Sequence, residues 1–161
     1  MAPTIRRPDP SDHSRIMAVM EDWWGGRDLR AMLPRLFLVH FNDTSLLAED
    51  GERLVGFLVG FLSPSRPDEA YIHFVGVHPD CRGRGLARTL YHRFFETCRG
   101  RGRSVVRSCT SPVNRGSIVF HERMGFRIEP GDGLSDGVSV HLDYNRAGDP
   151  KVLFIKHLEP C

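Results

Sequence analysis

The sequence predicts a mixed α/β domain, with antiparallel strands in its first half and strand-helix alternation in its second. Three observations predict it. Two apolar strand-like runs flank an Asp50-Gly51 turn signal, a glycine turn at Arg82 to Ala87 leads from a strand pattern into a helical one, and Gly125 closes a further helical run just before Phe126. Taken in order, Thr4 to Arg7 reads as a short strand. Ser11 reads as the cap of a helix whose apolar face is Ile16, Val19, Met20 and Trp23. A second helical piece covers Arg30 to Phe41, entered near Pro34. Ser45 to Glu49 and Arg53 to Leu62 form the hairpin, and Glu69 to Val77 is the next strand after the Ser63 to Asp68 loop. Then follow helix Leu86 to Arg99, strand Val105 to Thr110, helix Ser117 to Met124, a strand from Phe126 and a last strand Val152 to Leu158. Glu129 to Pro150 is rich in glycine and aspartate, with a short strand pattern at Val138 to Leu142. A connection that long is either a functional loop or a mobile surface excursion.

Length and composition are those of one soluble domain over residues 1–161, with 40% hydrophobic and 26% charged residues. A net charge of +2 is too small to argue for a nucleic-acid or membrane partner. No run is long enough to cross a bilayer, and the N-terminal MAPTIRRPDPSDHSR lacks the apolar stretch of a signal peptide, so a cytoplasmic location is expected. Cysteines 81, 98, 109 and 161 show no Cys-x-x-Cys or Cys/His ligand spacing. They read as reduced thiols, with neither a metal site nor a disulfide framework expected.

The glycine turn carries the chemistry. Gly83 and Gly85 let the backbone curl so that several N–H groups converge, and the first turn of the following helix adds free N–H groups and the positive end of its dipole. A diphosphate fits such a cradle, and Arg82 and Arg84 strengthen the field unless they point to water. Two phosphate-binding patterns are excluded. The P-loop needs a lysine after its second glycine, and the chain's lysines, Lys151 and Lys156, lie near its C-terminus. The dinucleotide fingerprint needs a third glycine where Arg88 stands. The letters Arg-Gly-Arg-Gly recur at residues 99–102, which raises an RNA-binding Arg/Gly segment as an alternative. That copy follows the helix, where the dipole is negative, and reads as a C-terminal turn.

Arg82-Gly83-Arg84-Gly85-Leu86-Ala87, preceded by Val75-Gly76-Val77-His78-Pro79, resembles the central Gln/Arg-x-x-Gly-x-Gly/Ala motif of the GNAT (Gcn5-related N-acetyltransferase) superfamily. Asn114 to Phe126 is similar to the family's fourth-helix motif, with Ser117 in place of Ala and His121 in place of Tyr. The resemblance implies a GNAT-like α/β (α+β mixed) fold: a central mixed, mostly antiparallel sheet of six to seven strands flanked by about four helices. It also implies acetyl-CoA as cosubstrate, no metal, and direct attack by a primary amine of a small molecule or peptide in a ternary complex.

Residue by residue, the family pattern places the pantetheine arm on Val75, Gly76 and Val77, with an amide near Val75 facing the thioester carbonyl. The diphosphate falls on Arg82, Gly83, Arg84, Gly85, Leu86 and Ala87, and Asn114, Ser117 and Phe120 complete the cofactor side. His121 takes the position of the acid that meets the thiolate; the alternative is a histidine that caps the apolar face of a short helix. For the base, Glu69, Tyr71 and His73 are the candidates, because odd positions of the strand share a face with Val75 and Val77; His73 is chosen because a neutral imidazole near the amine can accept its proton directly or through water, whereas Glu69 sits far back along the strand. The alternative is a buried histidine bound to a backbone carbonyl. Trp23 belongs to the helix's buried stripe, which leaves Asp22, Trp24 and Asp28 for the acceptor, together with Tyr71 and a lid bearing Asp143, Tyr144 or His141. Acidic groups there suit an amine.

His40 to Thr44, Gly56 to Phe61 and Pro64 are similar to diaminobutyrate acetyltransferases of ectoine synthesis, whereas Asn114 onward is closer to other small-molecule branches, so that substrate is not carried over. An apolar Val152 to Ile155 edge would serve a homodimer or the core equally well. Two other classes stay open: a noncatalytic acyl-CoA sensor, which keeps the glycine turn without turnover, and the Arg/Gly RNA binder.

Overall fold

The structure, a computed structural model, describes residues 2–160. Cys161, one of the four cysteines above, lies outside them; Cys81, Cys98 and Cys109 are free thiols. Strands β1 (Thr4–Arg6), β2 (Leu46–Asp50), β3 (Arg53–Leu62), β4 (Glu69–Val77), β5 (Val105–Thr110), β6 (Arg127–Ile128) and β9 (Val152–His157) form one seven-stranded sheet in the order β1-β2-β3-β4-β5-β9-β6. Every pairing is antiparallel except β4 with β5. A separate hairpin, β7 (Gly133–Ser135) and β8 (Val138–Val140), occupies the long loop. The helices are α1 (Asp12–Trp23), α2 (Leu36–His40), α3 (Leu86–Gly100) and α4 (Arg115–Arg123).

The sheet separates two apolar layers. α3 and α4 cover one face, where Leu90, Phe94, Phe95 and Phe154 are buried, and α1 and α2 cover the other, where Ile16, Met20 and Leu38 are buried with Phe57 of β3. α3 sits close because Gly60 of β3 has no side chain: a Cβ there would meet the Phe94 ring at 2.5 Å. Truncating a phenylalanine buried this way costs about 3–5 kcal/mol.

Several expectations change in detail. The Asp50-Gly51 hairpin forms, with Gly51 at φ +62°. Ser11 does not cap α1 with its side chain; the Asp12 carboxylate instead accepts the Asp9 N–H at 2.8 Å and is clamped by Arg6 and Arg15, which also hold Glu49. Arg6 pulls the Asp12 carboxyl down to about 2. The Arg30 to Phe41 helix is broken by Pro34 into a 3-10 turn at Arg30–Met32 and the short α2. The strand from Phe126 shrinks to Arg127–Ile128, because Phe126 is buried among the α3 aromatics. β9 is not an edge: β5 pairs along its length and β6 covers Phe154 and Ile155, so Val152 and Phe154 belong to the core. Among the described residues, no helix is long and apolar enough to cross a membrane, and no cluster of three His, Cys, Asp or Glu residues is placed to hold a metal ion.

Candidate active site

β4 and β5 pair only where Glu69–Tyr71 meets Val105–Arg107. Beyond that point β4 stays with β3 and β5 stays with β9, so the two strands part. Ser108 Oγ donates to the Ile72 carbonyl at the apex, 3.0 Å away. Past the apex the open edge of β4 is unpaired. His78 N–H donates to Val55 of β3, and strand N–H groups alternate between edges, so Gly76 also faces β3 while Val75 and Val77 face the split. The resulting cleft holds about 510 Å³.

β4 carries a bulge. Val59 pairs with Phe74 and Gly60 with Ile72, which leaves His73 as an extra residue. Ala70, Ile72, Val75 and Val77 therefore pack on the α3 side, whereas Phe74 packs on the α1 side. The parity argument that put His73 on the face of Val75 and Val77 fails at this point. His73 lies on the α2 side, stacked on Phe37 at 4.1 Å, with Nε2–H donating to the Met32 carbonyl at 2.6 Å. Burial lowers its pKa. Nδ1 is then the basic nitrogen, and His73 still lines the cleft.

At the mouth of the split, Gly83 and Gly85 take φ +73° and +83°, and no atom lies within 4 Å of a Cβ placed on either. Gly85 caps α3, whose first internal hydrogen bond runs from Thr89 N–H. The N–H groups from Gly83 to Arg88 thus have no acceptor among the described residues. Leu86 sends its side chain into the core against Gly56, so its contribution here is its amide, as is that of half-buried Ala87. Arg84 is exposed. Arg82 does not point at this spot: its guanidinium donates to the carbonyls of Trp23 and, at 3.1 Å, Val77. It ties the turn to the C-terminus of α1 and the end of β4. Gly76 has a packing reason, since a Cβ would strike Trp24 at 2.6 Å and Phe57 at 2.7 Å.

On α4, Asn114 Oδ1 accepts the Ser117 N–H at 3.2 Å and caps the helix, and both residues line the cleft. Phe120 packs edge-on to Tyr91 and does not line it. His121 is 4% exposed and stacked on Phe154 at 4.2 Å. Its Nδ1 lies 2.7 Å from the Ser117 carbonyl and 3.2 Å from Ser117 Oγ, and its Nε2 lies 2.9 Å from the Tyr91 hydroxyl. A carbonyl only accepts, so Nδ1 carries the hydrogen and Tyr91 donates to Nε2. Burial holds the imidazole down to about 4. The protonated donor expected at this position is therefore replaced by a neutral ring with both nitrogens occupied.

The acidic acceptor wall does not form. Asp22 is exposed and outside the cleft lining, and Asp28 is held by Arg30 through both oxygens at 2.8 and 2.7 Å. Asp143 sits at φ +53° and accepts the Gly148 N–H at 2.6 Å, so it shapes its own turn. Trp24 and Tyr71 do line the cleft, and the long loop contributes Tyr144 and Asn145 rather than Asp143, with Lys151 just beyond it. Sequence reasoning missed Ser108 and Cys109 at the apex because a splay between strands has no local signature. Tyr91 is both buried in the α3 core and part of the cleft lining.

The comparisons with known proteins agree with this geometry. Residues 7–126 match the family model for the Acetyltransferase (GNAT) family. L-2,4-diaminobutyric acid acetyltransferase of Nocardia farcinica is 30% identical over 119 residues, covering 72% of this chain and 60% of that protein. The chain spans 48% to 60% of the length of this and related curated diaminobutyric acid acetyltransferases. Among solved structures, a GNAT-family protein from Desulfovibrio desulfuricans superposes with a TM-score of 0.79 at 20% identity, covering 97% of this chain and 99% of its own. Diaminobutyrate acetyltransferase of Paenibacillus lautus, solved with L-2,4-diaminobutyric acid and coenzyme A, gives 0.68 at 24% identity over 94% and 93%. These two likenesses show the shared fold.

Proposed function

The chain belongs to the GNAT acetyltransferase family, and from that premise we propose that it moves an acetyl group from acetyl-CoA to a primary amine of a small molecule. The observation that carries the reading is the split between β4 and β5, with an unpaired strand edge inside it and a row of free amides at its mouth. The amides from Gly83 to Arg88 hold the diphosphate, and the α3 dipole adds to their field. The open edge at Val77 and Val75 takes the amide-bearing arm of the cosubstrate, which supplies the activated acetyl group. Val75 N–H then donates to the thioester carbonyl and stabilises the oxyanion as the amine attacks. His73 Nδ1 takes the amine proton, directly or through water, its tautomer held by Met32. Ser117 supports the departing thiolate with its hydroxyl, while His121 and Tyr91 act behind it as a neutral, buried support.

The acceptor enters between Trp24, Met32 and Tyr144. The curated relatives are named for a diamino acid, which makes L-2,4-diaminobutyric acid the first amine to assay. Calorimetry with acetyl-CoA, followed by CoA release in the presence of an amine panel, tests the proposal. Binding followed by amine-dependent CoA release is the expected result. Failure to bind acetyl-CoA overturns the reading, and binding with no turnover on any amine makes the protein an acyl-CoA sensor instead.

A further inference from the structure

Three residues hold His73, and two of them, Ser108 and Phe37, touch no reacting atom. The first hold is on its backbone. The β4 and β5 ladder stops where Tyr71 meets Arg107, one pair short of Ile72 and Ser108. The Ile72 carbonyl, next in line for a ladder bond, accepts instead from the Ser108 hydroxyl at 3.0 Å, and Ser108 is 6% exposed. That carbonyl and the His73 N–H belong to one rigid peptide plane, so the hydroxyl fixes the plane from which the inserted residue hangs. The bulge needs such a tie, because His73 has no partner on β3.

The other hold is on the ring. Phe37 of α2 stacks on the imidazole at 4.1 Å with 3° between the planes, while the Met32 carbonyl takes Nε2–H at 2.6 Å. The last torsion of a histidine is soft and roughly two-fold, so a single hydrogen bond leaves the ring free to rock. A parallel ring at contact distance stops that motion. Nδ1 is then the nitrogen without a hydrogen-bond partner among the described residues, on an immobilised ring that lines the cleft.

We propose that Ser108 and Phe37 are positioning residues for His73, one fixing its peptide plane and the other its ring, so that Nδ1 is presented to the cleft already oriented. The assignment rests on the acetyltransferase reading above and adds how the base is held. The chemistry is that of the parent reaction: the acetyl carbon bonds to the amine nitrogen as its bond to sulfur breaks, and the proton leaves that nitrogen for Nδ1. A ring fixed in advance needs no reorientation when the amine attacks. Ser108 stands at the closed end of the split and the glycine turn at its mouth, which separates this hold from the diphosphate site.

Nitrogen-15 NMR of the His73 imidazole in the CoA-loaded protein, its signal identified with His73→Gln, and CoA release kinetics on the amine panel together test the proposal. The unaltered protein should show one Nε2–H tautomer with a slowly exchanging hydrogen. Ser108→Ala and Phe37→Leu should each mix the tautomers, speed that exchange and lower kcat on the order of tenfold at unchanged KM for acetyl-CoA. Ser108→Thr and Phe37→Tyr, which keep the hydroxyl and the ring, should recover most of the loss. In a His73→Gln background neither Ser108→Ala nor Phe37→Leu should lower kcat further, because both act through that ring. An unchanged imidazole signal in either variant, or a full further loss of kcat in the His73→Gln background, overturns the proposal. A fixed tautomer that both variants release, without CoA release on any amine, upholds the positioning and sinks the transferase reading, so the two fail separately.

Discussion

The tetrapeptide Arg-Gly-Arg-Gly occurs at both ends of α3, and the two copies are opposites. At residues 82–85 it leaves the amides from Gly83 to Arg88 unpaired around open space. At 99–102 it consumes its amides: Gly102 N–H donates to Arg99, and Arg103 N–H to Cys98 at 2.8 Å, the reciprocal pair that closes a helix on a left-handed glycine at φ +74°. The arginines differ as well. Arg82 braces two carbonyls, and Arg101 pairs with Asp43 at 2.7 Å. Identical letters thus leave a cluster of free donors at one end of the helix and form a stop signal at the other. Direction along the helix, not composition, decides which.

The strongest way to break this comparison is to make the same change at both ends. Gly85→Glu puts a carboxylate among the free amides, and like-charge juxtaposition with a diphosphate costs several kcal/mol, so acetyl-CoA affinity should fall on the order of a thousandfold by calorimetry. Gly102→Glu bears the same left-handed strain, about 1 kcal/mol, and should lower the denaturation midpoint while leaving that affinity unchanged. Equal losses of affinity would erase the distinction.

The middle of the same helix gives the next effect. Tyr91 donates to His121, whose folded pKa of about 4 lies below the ordinary value of 6.5. Above pH 6.5 both folded and unfolded chains hold the ring neutral. As pH falls from 6.5 to 4 only the unfolded chain takes up the proton, so stability drops by about 3 kcal/mol across that window and no further below it. Urea denaturation at pH 7 and pH 4.5 should show most of this drop, and His121→Phe should flatten it while sparing acetyl-CoA binding. An unchanged slope in the variant would assign the titration elsewhere.

Smaller effects follow from the arginines. Arg82→Ala frees the turn from α1 and β4 and should weaken acetyl-CoA about tenfold, through positioning rather than charge. Arg101→Ala loses an exposed ion pair and should change stability by less than about 1 kcal/mol, with no change in affinity.

Much of this was legible in the chain itself, for reasons that are local. The hairpin at Asp50-Gly51, the cap at Asn114 and the glycine turn are set by residues within a few positions of one another, and each stands where its pattern put it. What escaped was long-range. No local pattern shows that β4 and β5 part after Tyr71, that Tyr91 and His121 meet from different helices, or that Arg30 takes up Asp28 before a substrate can. The single inserted residue at His73 defeated the simplest rule of all, strict alternation, because a bulge costs nothing in hydrophobic pattern on either side of it.

That inserted residue works as a phase shifter. Upstream of it the strand's outward positions, Glu69 and Tyr71, line a chamber of about 490 Å³ beside Arg107 and Glu129, which Tyr71 shares with the cleft; downstream the backbone edge at Val75 and Val77 belongs to the split. One continuous strand thus offers side chains to one space and its backbone edge to another.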